Sequence, residues 1–179
     1  MTTLSTTVFR LATEQDAIPL ERLINTAFRN DTTTQVYLST DHERIGVTSV
    51  ESIKARIDQP DFTVYVATNL AGELLAHGSV RKLDESIAWF GMLAVDVIFQ
   101  HRGLGSQMLA YAEDFARREL GCTRMELNAV NTRVDLIAWY QRKGYREIGV
   151  TTPFPYEFHG DWNGVLRDDL RFIHFGKDL

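Results

Sequence analysis

The stretch that most constrains the fold is an apolar strand that runs through a glycine-containing loop into an amphipathic helix. Ile87–Val95 is almost uniformly apolar, which predicts a central strand buried on both faces. Residues 103–120 then repeat apolar side chains at helical spacing and stop before Gly121, a natural C-terminal cap. The chain therefore places a buried strand directly before a long surface helix.

Helical and strand patterns alternate along the rest of the chain. Hydrophobic periodicity predicts helices over residues 17–28, 50–57 and 134–142, and β-branched or aromatic runs predict further strands over residues 8–11, 62–68, 74–83, 124–129, 145–150 and 170–175. Neither a repeat nor a break in composition divides the chain. We therefore expect one domain over residues 1–179, of the α/β or α+β class, with a mixed sheet.

Composition narrows the class of protein. A chain of 179 residues with 44% apolar and 24% charged residues is typical of one globular domain and excludes wholesale disorder. The net charge of −5 argues against a general nucleic-acid binder, which needs a basic face. Cys122 is the single cysteine, and the apolar runs fall short of the ~20 residues of a membrane span. We expect a cytoplasmic protein without membrane or nucleic-acid partners.

The loop between the strand and the helix predicts an anion site. Free N–H groups and the helix dipole favour negative charge at a helix N-terminus. Gly103 and Gly105 let the backbone approach a phosphate closely, and Arg102 adds a cation. The pattern Gln-x-x-Gly-x-Gly is neither the dinucleotide fingerprint nor the P-loop. Taken alone, it also fits a tight turn whose glycines serve packing.

A second motif gives this loop its context. About thirty residues later, the predicted helix 134–142 carries Tyr140 shortly before the pair Gly144-Tyr145. In this order and at this separation, the two motifs resemble the GNAT family of N-acetyltransferases. The resemblance extends over roughly residues 9–175. It implies a single GNAT-like domain of the α/β (α+β) class, with a mixed, mostly antiparallel sheet of six to seven strands flanked by helices and splayed between strands 4 and 5.

The resemblance implies acetyl-CoA as the acyl-donor cosubstrate, without a metal. The end of strand 4 would pair with the pantetheine arm, and backbone amides of the loop would bind the pyrophosphate. The strand residues implied are Leu93, Ala94, Val95 and Val97, and the loop residues are Gln100, His101, Arg102, Gly103, Leu104, Gly105 and Ser106. Tyr140 would lie beside the thioester sulfur.

The sequence departs from the family pattern at two positions. Many members have an Asn seven residues before the Tyr, where this chain has Arg133; Asn131 lies close enough to take that role. Some members carry a Glu base on strand 4, where this chain has Trp89. A base must then come from elsewhere, either from an ordered water or from a side chain among Asp41, His42, Glu43, Glu126, Glu157, His159 and Asp161.

The chemistry of amine acetylation assigns a role to Tyr140. An alkylammonium with a pKa near ~10.4 must lose a proton, and a departing thiolate near ~8.5 must gain one. A tyrosine hydroxyl can donate that proton as a general acid; the alternative is that Tyr140 only packs its helix on the sheet. Nothing in the sequence activates Cys122 as a nucleophile. We therefore expect direct transfer in a ternary complex.

Two regions of irregular sequence, residues 30–46 and 152–162, are expected to contact the acceptor. They supply Tyr37, Tyr156 and Glu157, which fit an apolar wall with a carboxylate for a cationic amine; the alternative is that the rings pack the loops onto the sheet. A small amine-bearing molecule is the favoured acceptor, and the family resemblance leaves a homodimer open. The alternative function is a non-catalytic acyl-CoA-binding sensor with the same fold.

Overall fold

The computed structural model describes residues 7–29, 48–154 and 168–179. In these ranges seven strands form one sheet in the order β1-β2-β3-β4-β5-β7-β6. Only the β4–β5 pair is parallel among these neighbours. The strands are β1 Val8–Leu11, β2 Phe62–Thr68, β3 Leu74–Lys82, β4 Ile87–Val95, β5 Arg124–Val130, β6 Arg146–Pro153 and β7 Arg171–Asp178. The predicted mixed, mostly antiparallel sheet is confirmed.

Helices cover both faces of this sheet. They are α1 Ala17–Arg29, α2 Val50–Ile57, α3 Leu104–Arg118 and α4 Val134–Arg142. The first two pack on one face, against Val66 and Ala94. The other two pack on the opposite face, against Phe90, Leu127 and Phe175. None of the helices in the described ranges is long and apolar enough to cross a bilayer.

The predicted boundaries hold best where the pattern is local. The bounds of β1, β2, β4, α2 and α4 agree with the sequence analysis, whereas β6 and β7 each end three residues beyond their predicted ends, at Pro153 and Asp178. The extension of β7 consists of Gly176, Lys177 and Asp178, which are opposite β5 residues in the sheet. Cross-strand pairing thus extends the strand past the point where its hydrophobic pattern stops.

β4 and β5 separate soon after they meet. Their paired residues run from Ile87 with Arg124 to Trp89 with Glu126, and we call the opening beyond that last pair the β4–β5 split. The split confirms the expected splay. It also corrects the prediction that β4 is buried on both faces: only Ala88, Phe90 and Ala94 are buried, because the second half of the strand lacks a neighbour on the β5 side.

A β-bulge in β4 lies beside the split. Ser79 is opposite Gly91, and His77 is opposite Ala94, so that Gly78 alone faces both Met92 and Leu93. Met92 has a left-handed φ of 56°. An extra residue reverses which face the following side chains occupy. Phe90 and Leu93 accordingly both belong to the α3–α4 side, whereas Ala94 packs on the α1–α2 side.

Candidate functional site

The loop between β4 and α3 opens at the mouth of the split. A short 3-10 turn, Val97–Phe99, begins with the Asp96 carboxylate accepting a hydrogen bond from the Ile98 amide at 2.9 Å. Gly103 is the N-cap of α3, with a left-handed φ of 83°, and a Cβ placed there would meet no atom of the described chain within 4 Å. Open space thus adjoins a helix start that no side chain of the described residues caps.

Gly105 lies where three elements meet. A Cβ at this position would lie 3.8 to 3.9 Å from side-chain atoms of Val95 and Leu93 on β4 and of Trp139 on α4. These are ordinary packing distances, so the first turn of α3 is seated directly against both elements. The N-terminal end of α3, the edge of β4 that faces the split and the helix that carries Tyr140 therefore converge at one place.

The backbone of Val95 faces the split. Gln100 Nε2 donates to the Val95 carbonyl at 3.1 Å, whereas the amide of the next residue, Asp96, donates to Leu75 on β3 at 2.9 Å. Polar groups of successive strand residues point to opposite sides. The Val95 polar groups therefore point to the free edge, where an extended ligand can pair with them.

Tyr140 is buried in the core beneath the split. Its ring packs against Trp139 at 4.9 Å and meets Tyr145 edge-on at 5.8 Å between ring centres. Burial raises the pKa of Tyr140 above its ordinary value, and the positive charge of Arg133 opposes this rise. The hydroxyl is therefore protonated at neutral pH, which is the form that can donate a proton.

The segment between β5 and α4 is tied to β7. Asn131 Oδ1 accepts a hydrogen bond from the Arg171 amide at 2.9 Å, and its Nδ2 donates to the Asp169 carbonyl at 3.3 Å. Any contact between the Asn131 side chain and a ligand competes with these bonds. Next to it, Thr132 Oγ1 is buried and has no hydrogen-bond partner among the described residues. Arg133 then occupies the N-cap of α4.

A second group of polar side chains lies on the other face of the sheet. Thr152 Oγ1 is 3.0 Å from His174 Nε2, and the Trp89 ring lies 5.4 Å from the His174 ring between centres. Burial lowers the pKa of His174, and the charge of Glu126 opposes this lowering. Arg124 Nε in turn donates to Glu126 Oε1 at 2.9 Å. We call Trp89, Glu126, Thr152 and His174 the β7 cluster.

The comparisons with known proteins agree with this geometry. The model of the Acetyltransferase (GNAT) family matches residues 20–145. The chain belongs to this family. A blasticidin-S acetyltransferase of Streptomyces morookaense is 33% identical to this chain over 86 residues, which make up 48% of this chain and 58% of that protein. The match thus spans little more than half the length of this relative.

Solved structures of GNAT proteins share the fold at low identity. A GNAT family acetyltransferase from Elizabethkingia anophelis with acetyl-CoA bound has a TM-score of 0.67 and 15% identity, covering 97% of this chain and 98% of that one. The IAA acetyltransferase from Bacillus cereus has a TM-score of 0.67 and 18% identity, covering 97% and 100%. At these identities the likeness establishes the architecture.

The structure places the remaining candidate residues as follows. Leu104 is buried, Ser106 is half-buried, and His101 and Arg102 are exposed, with the Arg102 guanidinium 5.8 Å from the centre of the Phe99 ring. Val97, expected at the end of strand 4, instead begins the 3-10 turn that follows β4 and is exposed, because the strand ends at Val95. No group of three or more His, Cys, Asp or Glu side chains suited to a metal occurs in the described ranges. Tyr37, Tyr156, Glu157 and the loop candidates for the base (Asp41, His42, Glu43, His159 and Asp161) lie outside these ranges.

The sequence analysis missed His174 and Thr152. Side chains along β7 alternate between the two faces of the sheet, and Ile173 and Phe175 face the core. His174, which lies between them, therefore faces the opposite side. Its partners come from three other strands. That grouping depends on the strand order, which the local pattern does not contain.

Proposed function

We propose that this GNAT protein is an acetyl-CoA-dependent N-acetyltransferase that transfers the acetyl group directly to an amine, with Tyr140 as the general acid. The observation that carries the proposal is the convergence at the split, where the open start of α3, the free edge of β4 and the helix of Tyr140 meet. The family match and the acetyl-CoA-bound neighbour support the choice of donor.

The described residues fit this donor. The open space beside Gly103 accommodates a phosphate, and the amides of residues 101–106 and the exposed Arg102 are suited to the negative pyrophosphate. The backbone edge at Val95 suits a pantetheine arm, which carries amides that pair as a strand does. A donor to the Val95 carbonyl would share it with the Gln100 side chain. When bound, acetyl-CoA supplies an activated acetyl group on sulfur.

The transfer is direct because the chain's thiol is unsuited to carry the acetyl group. Cys122 is buried, and burial raises its pKa. It follows the C-terminal end of α3, whose fifteen residues put it roughly 20 Å from the loop at a rise of ~1.5 Å per residue. Tyr140, by contrast, is protonated at neutral pH and donates to the departing sulfur.

The acceptor in this proposal is a small molecule with an amine. A net charge of −5 favours a cationic acceptor over an acidic one, and the curated relative is named for a small molecule, blasticidin S. The reaction belongs in the cytoplasm, because a single cysteine is typical of a reducing compartment. A single domain over residues 1–179 and a homodimer stay predictions.

The experiment measures CoA thiol release from acetyl-CoA with blasticidin S, phosphinothricin and spermidine, the acceptors after which three similar acetyltransferases are named. We expect turnover with an amine and a fall of about 10²–10⁴-fold in the Tyr140→Phe variant, the usual contribution of a general acid. Acetyl-CoA affinity should be unchanged. The matched control is Tyr111→Phe, which removes a hydroxyl from a ring stacked on Phe9.

Each other outcome has a defined meaning. Turnover that survives unchanged in Tyr140→Phe would remove the role of Tyr140 as the acid. Tight binding of acetyl-CoA without turnover on any amine would favour the sensor, for which Trp89 at the place of a strand-4 carboxylate is the specific observation. A chain that does not bind acetyl-CoA would contradict both functions.

A further inference from the structure

The β7 cluster lies beside the split on the face opposite Tyr140. Trp89 and Glu126 form the last pair between β4 and β5. Two residues further along β5, Asn128 is opposite His174 on β7. Because β5 faces the split on one side and β7 on the other, His174 lies one strand from the opening.

The register fixes which face these residues occupy. Leu127 on β5 and Phe175 on β7 form a pair and belong to the core that contains Tyr140. Side chains alternate along a strand, so Glu126 and His174 lie on the other face. The split thus has Tyr140 on one side of the sheet and the β7 cluster on the other.

We propose that His174 is the general base that takes a proton from the acceptor amine, and that Thr152 and Glu126 are its positioning residues. The proposal rests on the proposed N-acetyltransferase activity and adds the base that the strand-4 position, occupied by Trp89, does not supply. Acid and base then act from opposite faces of the sheet, the base on the attacking amine and the acid on the departing sulfur.

The proton inventory balances for an ammonium acceptor. Its first proton passes to His174 and then to solvent, which leaves a neutral amine. The C–N bond forms as the C–S bond breaks. The nitrogen loses its second proton to solvent as the amide forms, and Tyr140, which has given its proton to sulfur, regains one from solvent. One acetyl amide, one CoA thiol and one released proton result.

His174 suits this role better than its neighbour Glu126. The Glu126 carboxylate is paired with Arg124, which also bridges to Asp178 at 3.2 Å. The described groups that face His174 are Trp89 from β4, Glu126 and Asn128 from β5, and Thr152 from β6. Burial keeps the imidazole neutral at pH 7, and Glu126 stabilises the imidazolium that forms.

The hydroxyl of Thr152 holds the ring at Nε2, and one of the two tautomers leaves Nδ1 as the base. When Nε2–H donates to Thr152 Oγ1, Nδ1 carries the lone pair that accepts the proton. The same cluster suits an ammonium group, because the face of the Trp89 ring and the Glu126 carboxylate both attract cations. The acceptor class that follows is a small primary amine that binds as a cation.

The first test combines a pH profile with chemical rescue, using the acceptor panel above. In His174→Ala, turnover should fall about 10²–10⁴-fold with unchanged acetyl-CoA affinity and recover when imidazole is added. The wild type should lose turnover below pH 6.5, and the variant should lack this decline. Thr152→Val should lower kcat more than it changes KM. The control Thr151→Val alters the adjacent, exposed threonine of β6 and should leave turnover unchanged.

The second test does not depend on turnover. An NMR titration of the His174 ring in the free chain should give a pKa below 6.5, and Glu126→Gln should lower it further. A pKa that Glu126→Gln does not move would overturn the assigned coupling. If His174→Ala turns over as fast as the wild type, His174 is not the general base, whereas the proposed function still stands. Absence of wild-type turnover on the whole panel would overturn both.

Discussion

His77 Nδ1 lies 2.7 Å from the Met92 carbonyl oxygen, so a side chain of β3 holds the residue at which β4 changes face. The ring is fully buried, and burial lowers its pKa to about 4, which makes it a neutral Nδ1–H donor at pH 7. Next to it, Ser79 Oγ donates to the Gly91 carbonyl at 3.1 Å. Two β3 side chains thus hold the bulge that turns the free edge of β4 to the split.

Replacing His77 should weaken both the fold and the donor site. His77→Leu leaves the Met92 carbonyl without its donor, which should lower the free energy of unfolding by about 1–3 kcal/mol. Acetyl-CoA affinity should fall too, because the bulge orients Val95. Urea denaturation and calorimetric titration with acetyl-CoA measure the two effects.

Ser79→Ala serves as the second arm of this experiment. Because both side chains hold one bulge, the double variant should lose a different amount of stability from the sum of the single losses. Lower stability with unchanged acetyl-CoA affinity would show that His77 supports the fold alone.

The buried His77 also predicts how stability depends on pH. In the unfolded chain this ring titrates near 6.5, and in the folded protein its pKa is about 4. Between these values the unfolded state binds more protons, so stability falls as the pH drops from 6.5 to 4, by about 3 kcal/mol in all. In His77→Leu, the free energy of unfolding should fall by about 3 kcal/mol less than in the wild type between pH 6.5 and 4.

Asp16 marks a separate window at lower pH. A hydrogen bond from Arg10 lowers the pKa of Asp16 to about 2, so its stabilising effect is lost as the pH falls from 3.8 towards 2. Urea midpoints measured from pH 8 to pH 2 distinguish the two groups. If stability falls with pH equally in the wild type and His77→Leu between pH 6.5 and 4, the lowered pKa assigned to His77 is wrong.

The parts of the site that the sequence predicted are those encoded locally. The loop from Gln100 to Gly105 was predictable because its glycines and the helix behind it lie within a few residues of one another. The bulge at Met92 was not, since its place follows from pairing with Gly78 on another strand. His174 was missed for the same reason: its neighbours Trp89 and Thr152 reach it only through the strand order.

Gly78 leaves room for the tyrosine that ties β2 to α3. A Cβ at Gly78 would lie 2.6 Å from Tyr65 Oη and 2.8 Å from its Cζ, and this hydroxyl donates to the Met108 carbonyl at 3.0 Å. Gly78→Ala should therefore cost about 1–3 kcal/mol through overpacking. Tyr65→Phe removes the nearer atom, so the double variant should lose less stability than the sum of the single losses.

A double-mutant cycle by urea denaturation measures this coupling. The rescue should be partial, because Cζ remains in Tyr65→Phe. Strict additivity would show that the backbone at Gly78, and not the Tyr65 ring, moves to accept the methyl group.

Alanine substitutions at Gly103 and Gly121 distinguish the effect of backbone strain from the effect of lost ligand contact. Both have left-handed φ angles, 83° and 68°, and open space where a Cβ would stand, but they lie at opposite ends of α3. Alanine at either position should cost about 1–2 kcal/mol of stability, because a Cβ is unfavourable in this region. Only Gly103→Ala also puts a methyl group into the space assigned to the pyrophosphate.

Acetyl-CoA affinity should therefore fall at least about tenfold in Gly103→Ala, which corresponds to ~1.4 kcal/mol, and stay unchanged in Gly121→Ala. Equilibrium binding of acetyl-CoA and of CoA gives both values, and thermal unfolding shows whether the two variants carry equal strain. An equal loss of affinity in both variants would attribute the effect to destabilised α3. Unchanged affinity in Gly103→Ala would refute the assignment of this loop to the pyrophosphate.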